Sequence, residues 1–220
     1  MSSMVNWCPA AQSALSDEEV IYREVKGKFW HFRYPLTDGS GYLVVATTRP
    51  ETMFGDTAVA VPPGDPRYKH LVGKTVNLPL TDRKIPIIED EHADPEKGTG
   101  CVKITPAHDP NDYQVGKRPT LDFINVMNRD GSMNAQCGKY AGLDRYECRT
   151  KCVEELESLG LVEKIEDIVH NVGFSERGGV EIETLLSDQW FVRMDELAKP
   201  AIESVRSGAI KFYPDRWAKT

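Results

Sequence analysis

The sequence predicts a β-rich α/β fold, a barrel-like mixed sheet with helices around it. Three observations lead there. Short runs rich in β-branched and aromatic residues recur between Val20 and Ile104, separated by Gly, Pro, Asn and Asp. The clearest helical period is Arg145 to Leu159, where Cys148, Cys152, Val153, Leu156 and Leu159 share a side and Gly160 ends the run. Strand and helix patterns do not alternate as they do in a doubly wound parallel sheet.

In chain order, Val5-Asn6-Trp7-Cys8-Pro9 reads as a short extended piece stopped by proline, and Ser13 to Asp17 as a turn. Val20 to Tyr34 reads as two strands about Lys26-Gly27. Asp38-Gly39 supplies the positive φ of a hairpin turn into the strand Tyr42 to Thr48. Arg49-Pro50-Glu51-Thr52 breaks that strand and opens a helical turn. Further strands are expected over Asp56 to Val61, Thr75 to Leu80, Lys84 to Ile88, Cys101 to Ile104 and Ile124 to Met127. Short helices are expected over Arg67 to Leu71 and from Asn111 onward, and a strand-like return from Leu161 to His170.

The chain has 220 residues, 40% hydrophobic and 28% charged, enough for one large domain with a substantial core. No apolar run approaches the roughly 20 residues that cross a bilayer. The start, Met1-Ser2-Ser3-Met4, lacks a secretory pattern, so the cytoplasm is the expected compartment. Five irregularly spaced cysteines argue against a secreted disulfide framework. With no CxxC pair or HxxxH spacing, no metal and no cofactor are expected. The net charge of −7 disfavours a stand-alone nucleic-acid binder, although basic residues cluster at Lys26, Lys28, Arg33 and at Lys117, Arg118.

Two segments are dense in hydrogen-bonding side chains directly after apolar strands, where binding groups commonly sit. They are Thr47-Thr48-Arg49-Pro50-Glu51-Thr52 and Lys103-Ile104-Thr105-Pro106-Ala107-His108-Asp109-Pro110-Asn111-Asp112. Asp109 and Asp112, three apart, suit an ammonium, a hydroxyl or a metal ion; Asp109 or Asn111 equally suits the cap of the following helix. His108 lacks a nucleophile motif such as G-x-S-x-G, so a Ser/His/Asp triad is poorly supported.

These segments resemble the editing (CP1) domain inserted into class I aminoacyl-tRNA synthetases for valine, isoleucine and leucine. Thr47 to Thr52 is similar to the family's threonine-rich peptide, and Gly98-Thr99-Gly100-Cys101-Val102 through Asp112 to its second signature. The flanks Val5 to Pro9 and Ser187-Asp188-Gln189-Trp190-Phe191-Val192 fit as well, so the likeness covers nearly the whole chain. Pro106-Ala107-His108 and Asp56 to Val61 resemble the valyl version; isoleucyl and leucyl versions carry Pro-Gly-His. Where some valyl relatives have an aromatic residue before Gly98, this chain has Lys97.

The resemblance implies the class I editing-domain fold over residues 1–220, with 1–20 and 187–220 as connections toward an absent catalytic body. HIGH-type and KMSKS-type peptides are absent, so amino-acid activation is not expected of this piece, which reads as an excised fragment. The implied reaction is hydrolysis of the ester in threonyl-tRNA(Val). The implied partners are the acceptor end of that tRNA and the parent synthetase's catalytic body. Asp109 would anchor the α-ammonium; Asp112, Lys103 and Thr52 would surround the threonine hydroxyl. Thr48 would position the ester or the water, and Arg49 would contact the terminal adenosine or its phosphate. Thr47 and His108 complete the expected binding set, with Asp109, Thr48 and Lys103 as its catalytic members. Alternatives are an isoleucyl or leucyl editing domain, a non-catalytic module holding the acceptor end, and a metallohydrolase using His108, Asp109 and Asp112.

Overall fold

A computed structural model describes residues 2–118 and 121–219. The strands are β1 (Ser2–Cys8), β2 (Ser13–Leu15), β3 (Val20–Pro35), β4 (Tyr42–Thr47), β5 (Ala58–Val61), β6 (Thr75–Asn77), β7 (Lys84–Glu89), β8 (Val102–Ile104), β9 (Val162–Ser175) and β10 (Glu183–Asp188). The α-helices are α1 (Pro110–Lys117), α2 (Arg145–Ser158) and α3 (Met194–Arg206). The chain divides into two compact units, 4–187 and a second comprising 188–219 with the N-terminal residues.

In the first unit the strands form sheets of order β10-β1-β2, β4-β3-β9 and β6-β7-β5-β8. The fold is therefore mixed α/β and rich in β structure, as expected. Barrel closure is not established: among the described residues each sheet ends in edge strands. A bridge from Leu36 to Val76 links the end of β3 to β6.

The core follows from the two-residue period of strands. Phe32 and Tyr34 on β3, Leu43 and Val45 on β4, Val59 and Val61 on β5, and Ile85 and Ile87 on β7 all turn into one buried cluster. Cys148, Cys152 and Leu156 of α2 join it, as their helical spacing predicts. All five cysteines are free and buried, with Cys148 and Cys152 Sγ atoms 3.6 Å apart.

Some expectations fail for identifiable reasons. Val20 to Pro35 is one strand, not two. Gly27 pairs with Ile168 mid-ladder, and a Cβ there would lie 2.8 Å from His170 Nε2. The glycine makes room for a cross-strand ring instead of turning the chain. Ser13 to Leu15 extends as β2, because it pairs antiparallel with β1. Ile124 to Met127 forms only an isolated bridge, from Met127 to Met133. Arg67 to Leu71 is a run of turns, held in part by the short Asp65–Arg67 ion pair.

In the second unit, α3 has no buried residue. Met194, Leu197, Ile202 and Val205 recur at helical spacing and are exposed, as are Trp190 and Phe191. No helix among the described residues is long and apolar enough to cross a membrane.

Candidate functional site

Where β4 ends, Thr47 turns the chain: its Oγ1 accepts from Arg49 N–H at 2.9 Å. Pro50–Gly55 follows as a fully buried 3-10 helix, in which Thr52 Oγ1 donates to Arg49 O at 2.9 Å. Where β8 ends, Thr105 N–H donates to Asp112 Oδ2 at 2.8 Å, bending the chain into α1. Asp109 is the cap of α1, its Oδ1 accepting from Asn111 and Asp112 N–H at 2.8 and 3.1 Å. The capping use foreseen for Asp109 is therefore real. It occupies one carboxylate oxygen and leaves Oδ2 without a hydrogen bond among the described residues.

These two strand ends open into one cavity of about 250 Å³. Thr47, Thr48, Arg49, Thr52, Lys103, His108, Asp109 and Asp112 all line it, so every residue singled out in the sequence is brought together. Phe29 and His92 line it too and were not foreseen; Thr105 and Asn111, inside the second polar run, line it without having been assigned a binding role. Thr105 had a sequence signal, since a strand's two-residue period sets it on the side of Lys103. Phe29 and His92 arrive from distant segments and had none.

Beneath the cavity lies a charge that sequence reading missed. Lys103, 8% exposed, donates from Nζ to Asp56 Oδ1 at 2.8 Å, Thr105 Oγ1 at 2.5 Å and Thr52 Oγ1 at 3.3 Å. Asp56 is fully buried and also accepts from Thr105 Oγ1 at 2.6 Å and Tyr34 Oη at 2.7 Å. Burial holds the Asp56 carboxyl above its ordinary range; Lys103 and the hydrogen bonds from Thr105 and Tyr34 oppose that rise without cancelling it. The pair costs desolvation, which its full set of hydrogen bonds offsets. Its one sequence signal is an acidic residue heading the apolar strand Ala58–Val61.

Arg49 is held from behind. Its Nη2 donates to Glu183 Oε2, its Nη1 donates to His108 O at 3.3 Å, and its Nε lies 3.5 Å from Glu51 Oε1. Glu51, fully buried, takes a bidentate pair from Arg149 of α2 at 2.7 and 2.8 Å. Arg145 of α2 lies 3.1 Å from Glu183. Such planar, charge-assisted pairs fix a guanidinium in direction as well as place. On the opposite wall His92 Nε2 lies 3.4 Å from Asp112 Oδ1, and that contact raises the imidazole's pKa.

His108 backs the cavity rather than entering it as a free base. The residue is 2% exposed, and its Nε2 accepts from Val126 N–H at 2.9 Å. Burial, aided by Arg49 and Lys103, lowers its pKa to about 3. Unfolded histidine titrates near 6.5 (a value of about 6.5 in model peptides), so acid favours the unfolded chain. The stability due to neutral His108 is complete above that value. It is lost as pH falls toward the folded pKa, by roughly 1.4 kcal/mol per unit. Urea unfolding between pH 7 and pH 4 is expected to show this slope, and His108→Gln to flatten it. Equal slopes in the two proteins would refute the assignment.

A family model, tRNA synthetases class I (I, L, M and V), matches residues 1–220, and the chain belongs to that family. Within it, the chain is similar to valine–tRNA ligases. It is 60% identical to that of Lactobacillus acidophilus over 99% of this chain and 25% of the relative. It is 58% identical to that of a Nostoc species over 98% of this chain and 21% of the relative. It thus spans about a quarter of the length of the curated relatives it matches. A crystal structure of GlLeuRS-CP1 aligns with 62% of this chain and 96% of its own, with TM-score 0.49 and 16% identity, a likeness too slight to build on.

Proposed function

We propose that this chain is an editing module that hydrolyses the ester of mischarged threonyl-tRNA(Val), releasing threonine and the intact tRNA. The observation that carries the reading is one polar cavity fed by both strand ends, with a free carboxylate oxygen on Asp109 and a buried ammonium on Lys103. A hydrophobic pocket separates valine from threonine poorly; the established figure for this amino-acid pair is about a hundredfold. A second site must therefore demand the hydroxyl. Groups that a hydroxyl satisfies and a methyl leaves unpaired discriminate by about 1–3 kcal/mol each.

Asp109 Oδ2 takes the α-ammonium. Asp112 and Lys103 take the side-chain hydroxyl. The Lys103 proton on its longest bond, toward Thr52 at 3.3 Å, is the one most readily shared. Thr48, whose hydroxyl has no hydrogen bond among the described residues, orients the ester or the attacking water. Arg49 and the ring of Phe29, both lining the cavity, face the terminal adenosine. Water oxygen bonds to the carbonyl carbon, the bond to the ribose oxygen breaks, and that oxygen takes up a proton given up by the water, leaving a free hydroxyl on the tRNA and a carboxyl on threonine. Positioning and charge stabilisation suffice for an ester already activated by its attachment. We place the module in the cytoplasm, beside the catalytic body of a longer synthetase. The Leu36–Val76 bridge and the 2.7 Å bond from Thr99 Oγ1 to Val44 O support a barrel-like curl of its sheets.

Incubation with threonyl-tRNA(Val) is expected to release threonine at least tenfold faster than valine from valyl-tRNA(Val). Equal rates, or faster release of valine from valyl-tRNA for isoleucine, would reject the threonine assignment. Binding of a threonyl-adenosine analogue without turnover would leave only a holding module.

A further inference from the structure

One ionisable side chain on the cavity wall, His92, has no part in the reaction described above. We infer that His92 sets the site's preference for a hydroxylated side chain, by holding the Asp112 carboxylate in the orientation that accepts from the substrate's hydroxyl. The inference rests on the reading above, which puts that hydroxyl at Asp112.

His92 and Asp112 stand on two segments that are clamped together. Asp90, just past the end of β7, takes a forked pair from Arg118 beyond the last turn of α1, at 2.6 and 2.9 Å. Asp90 Oδ1 also accepts from His92 N–H at 2.9 Å, tightening the turn that carries the ring to the cavity. The next residue, Ala93, is buried in a small apolar cluster with Val115 of α1. The imidazole thus rides on a fixed support and keeps access to water, its side chain being 31% exposed.

Asp112 is pinned at both oxygens. Oδ2 accepts from Thr105 N–H at 2.8 Å, and Oδ1 lies 3.4 Å from His92 Nε2. That second contact is longer than a good N–H···O bond, so its strength is that of an ion pair and depends on the imidazolium. The surroundings favour the charged ring. Asp112 raises its pKa most, and Asp109 at the cap of α1 and Asp90 add to the rise, against the burial that lowers it. The other basic groups on the wall are occupied or neutral: Lys103 pairs with Asp56, Arg49 with Glu183, and burial keeps His108 uncharged.

A carboxylate fixed in this way offers the free side of Oδ1 in one direction. A threonine hydroxyl donates to it, whereas a valine methyl leaves it facing carbon, unsatisfied. With the pin at Oδ1 released, the carboxylate can rotate about its bond to Thr105 and meet water, and the penalty on the methyl shrinks. His92 acts through Asp112 and is a positioning residue. Its contribution is complete below the ordinary histidine value of about 6.5 and is lost as pH rises through the raised folded pKa.

The test is the ratio of kcat/KM for threonyl-tRNA(Val) to that for valyl-tRNA(Val), measured on the whole chain from about pH 6 to about pH 9. Ester lability and the α-ammonium are common to both substrates and cancel in the ratio. The parent's ratio is expected to fall about fivefold across this range, the worth of roughly one neutral hydrogen bond. His92→Gln, uncharged, should show the low ratio at every pH, and His92→Lys, cationic throughout, should keep the high one. Proton NMR titration of the imidazole should find its pKa lowered by Asp112→Asn. A His92→Gln ratio equal to the parent's at every pH, a His92→Lys ratio that falls as the parent's does, or an imidazole indifferent to Asp112→Asn would each overturn the inference. Any of these in a parent that prefers threonine leaves the editing reaction standing and removes only the part given to His92. A parent that hydrolyses neither ester rejects both.

Discussion

Asp56→Ala is expected to abolish hydrolysis of threonyl-tRNA and to destabilise the fold by about 3–5 kcal/mol, the usual result of leaving a buried charge without its partner. Lys103 would keep two hydroxyl acceptors but lose, among the described residues, the only carboxylate within hydrogen-bonding distance of it. Its ammonium would then shed its proton or draw in water, and either event disorders the floor of the cavity. The double variant Asp56→Ala, Lys103→Met separates stability from chemistry. Removing both charges recovers most of the stability, because an apolar pair carries no desolvation cost. Activity stays lost, because no cation remains for the hydroxyl. Denaturant midpoints and deacylation rates read the two effects independently. A fully active Asp56→Ala protein would show that the buried pair has no part in the site.

The second large effect belongs to Asp109. Asp109→Asn keeps an oxygen to accept from Asn111 and Asp112 N–H, so α1 keeps its cap and the fold its stability. What disappears is the negative charge offered to the substrate's ammonium. A hydrogen bond to a charged group is worth about 1.5–3 kcal/mol, so kcat/KM should fall roughly 10- to 150-fold. Asp109→Ala should lose as much activity and about 1 kcal/mol of stability besides, from the missing cap. Were the asparagine variant as active as the parent, the carboxylate would be a helix cap and nothing more.

Much of the site was legible because it is local in sequence. Thr47 to Thr52 and Lys103 to Asp112 are continuous polar runs at strand ends, and all eight residues chosen from them face one cavity. Asp56 was not legible. It matters only because β5 and β8 pair antiparallel, with Val59 opposite Lys103, and nothing near Asp56 encodes that register. Phe29 and His92 were hidden for the same reason. Among the elements, α2 was readable from its period and its terminal glycine. The unbroken β3 was not, because a glycine that turns a chain and a glycine that makes room for a histidine across the ladder are the same letter.

The divided carboxylate of Asp109 has an evolutionary corollary. One oxygen starts a helix and, on the editing reading, the other meets the ligand's ammonium, so the residue answers two demands, of which only the second needs the charge. A lineage that no longer needed proofreading would still keep an acceptor here to begin α1, with asparagine its cheapest drift. Among relatives, aspartate giving way to asparagine at this position would mark lost correction of errors sooner than any change in overall similarity.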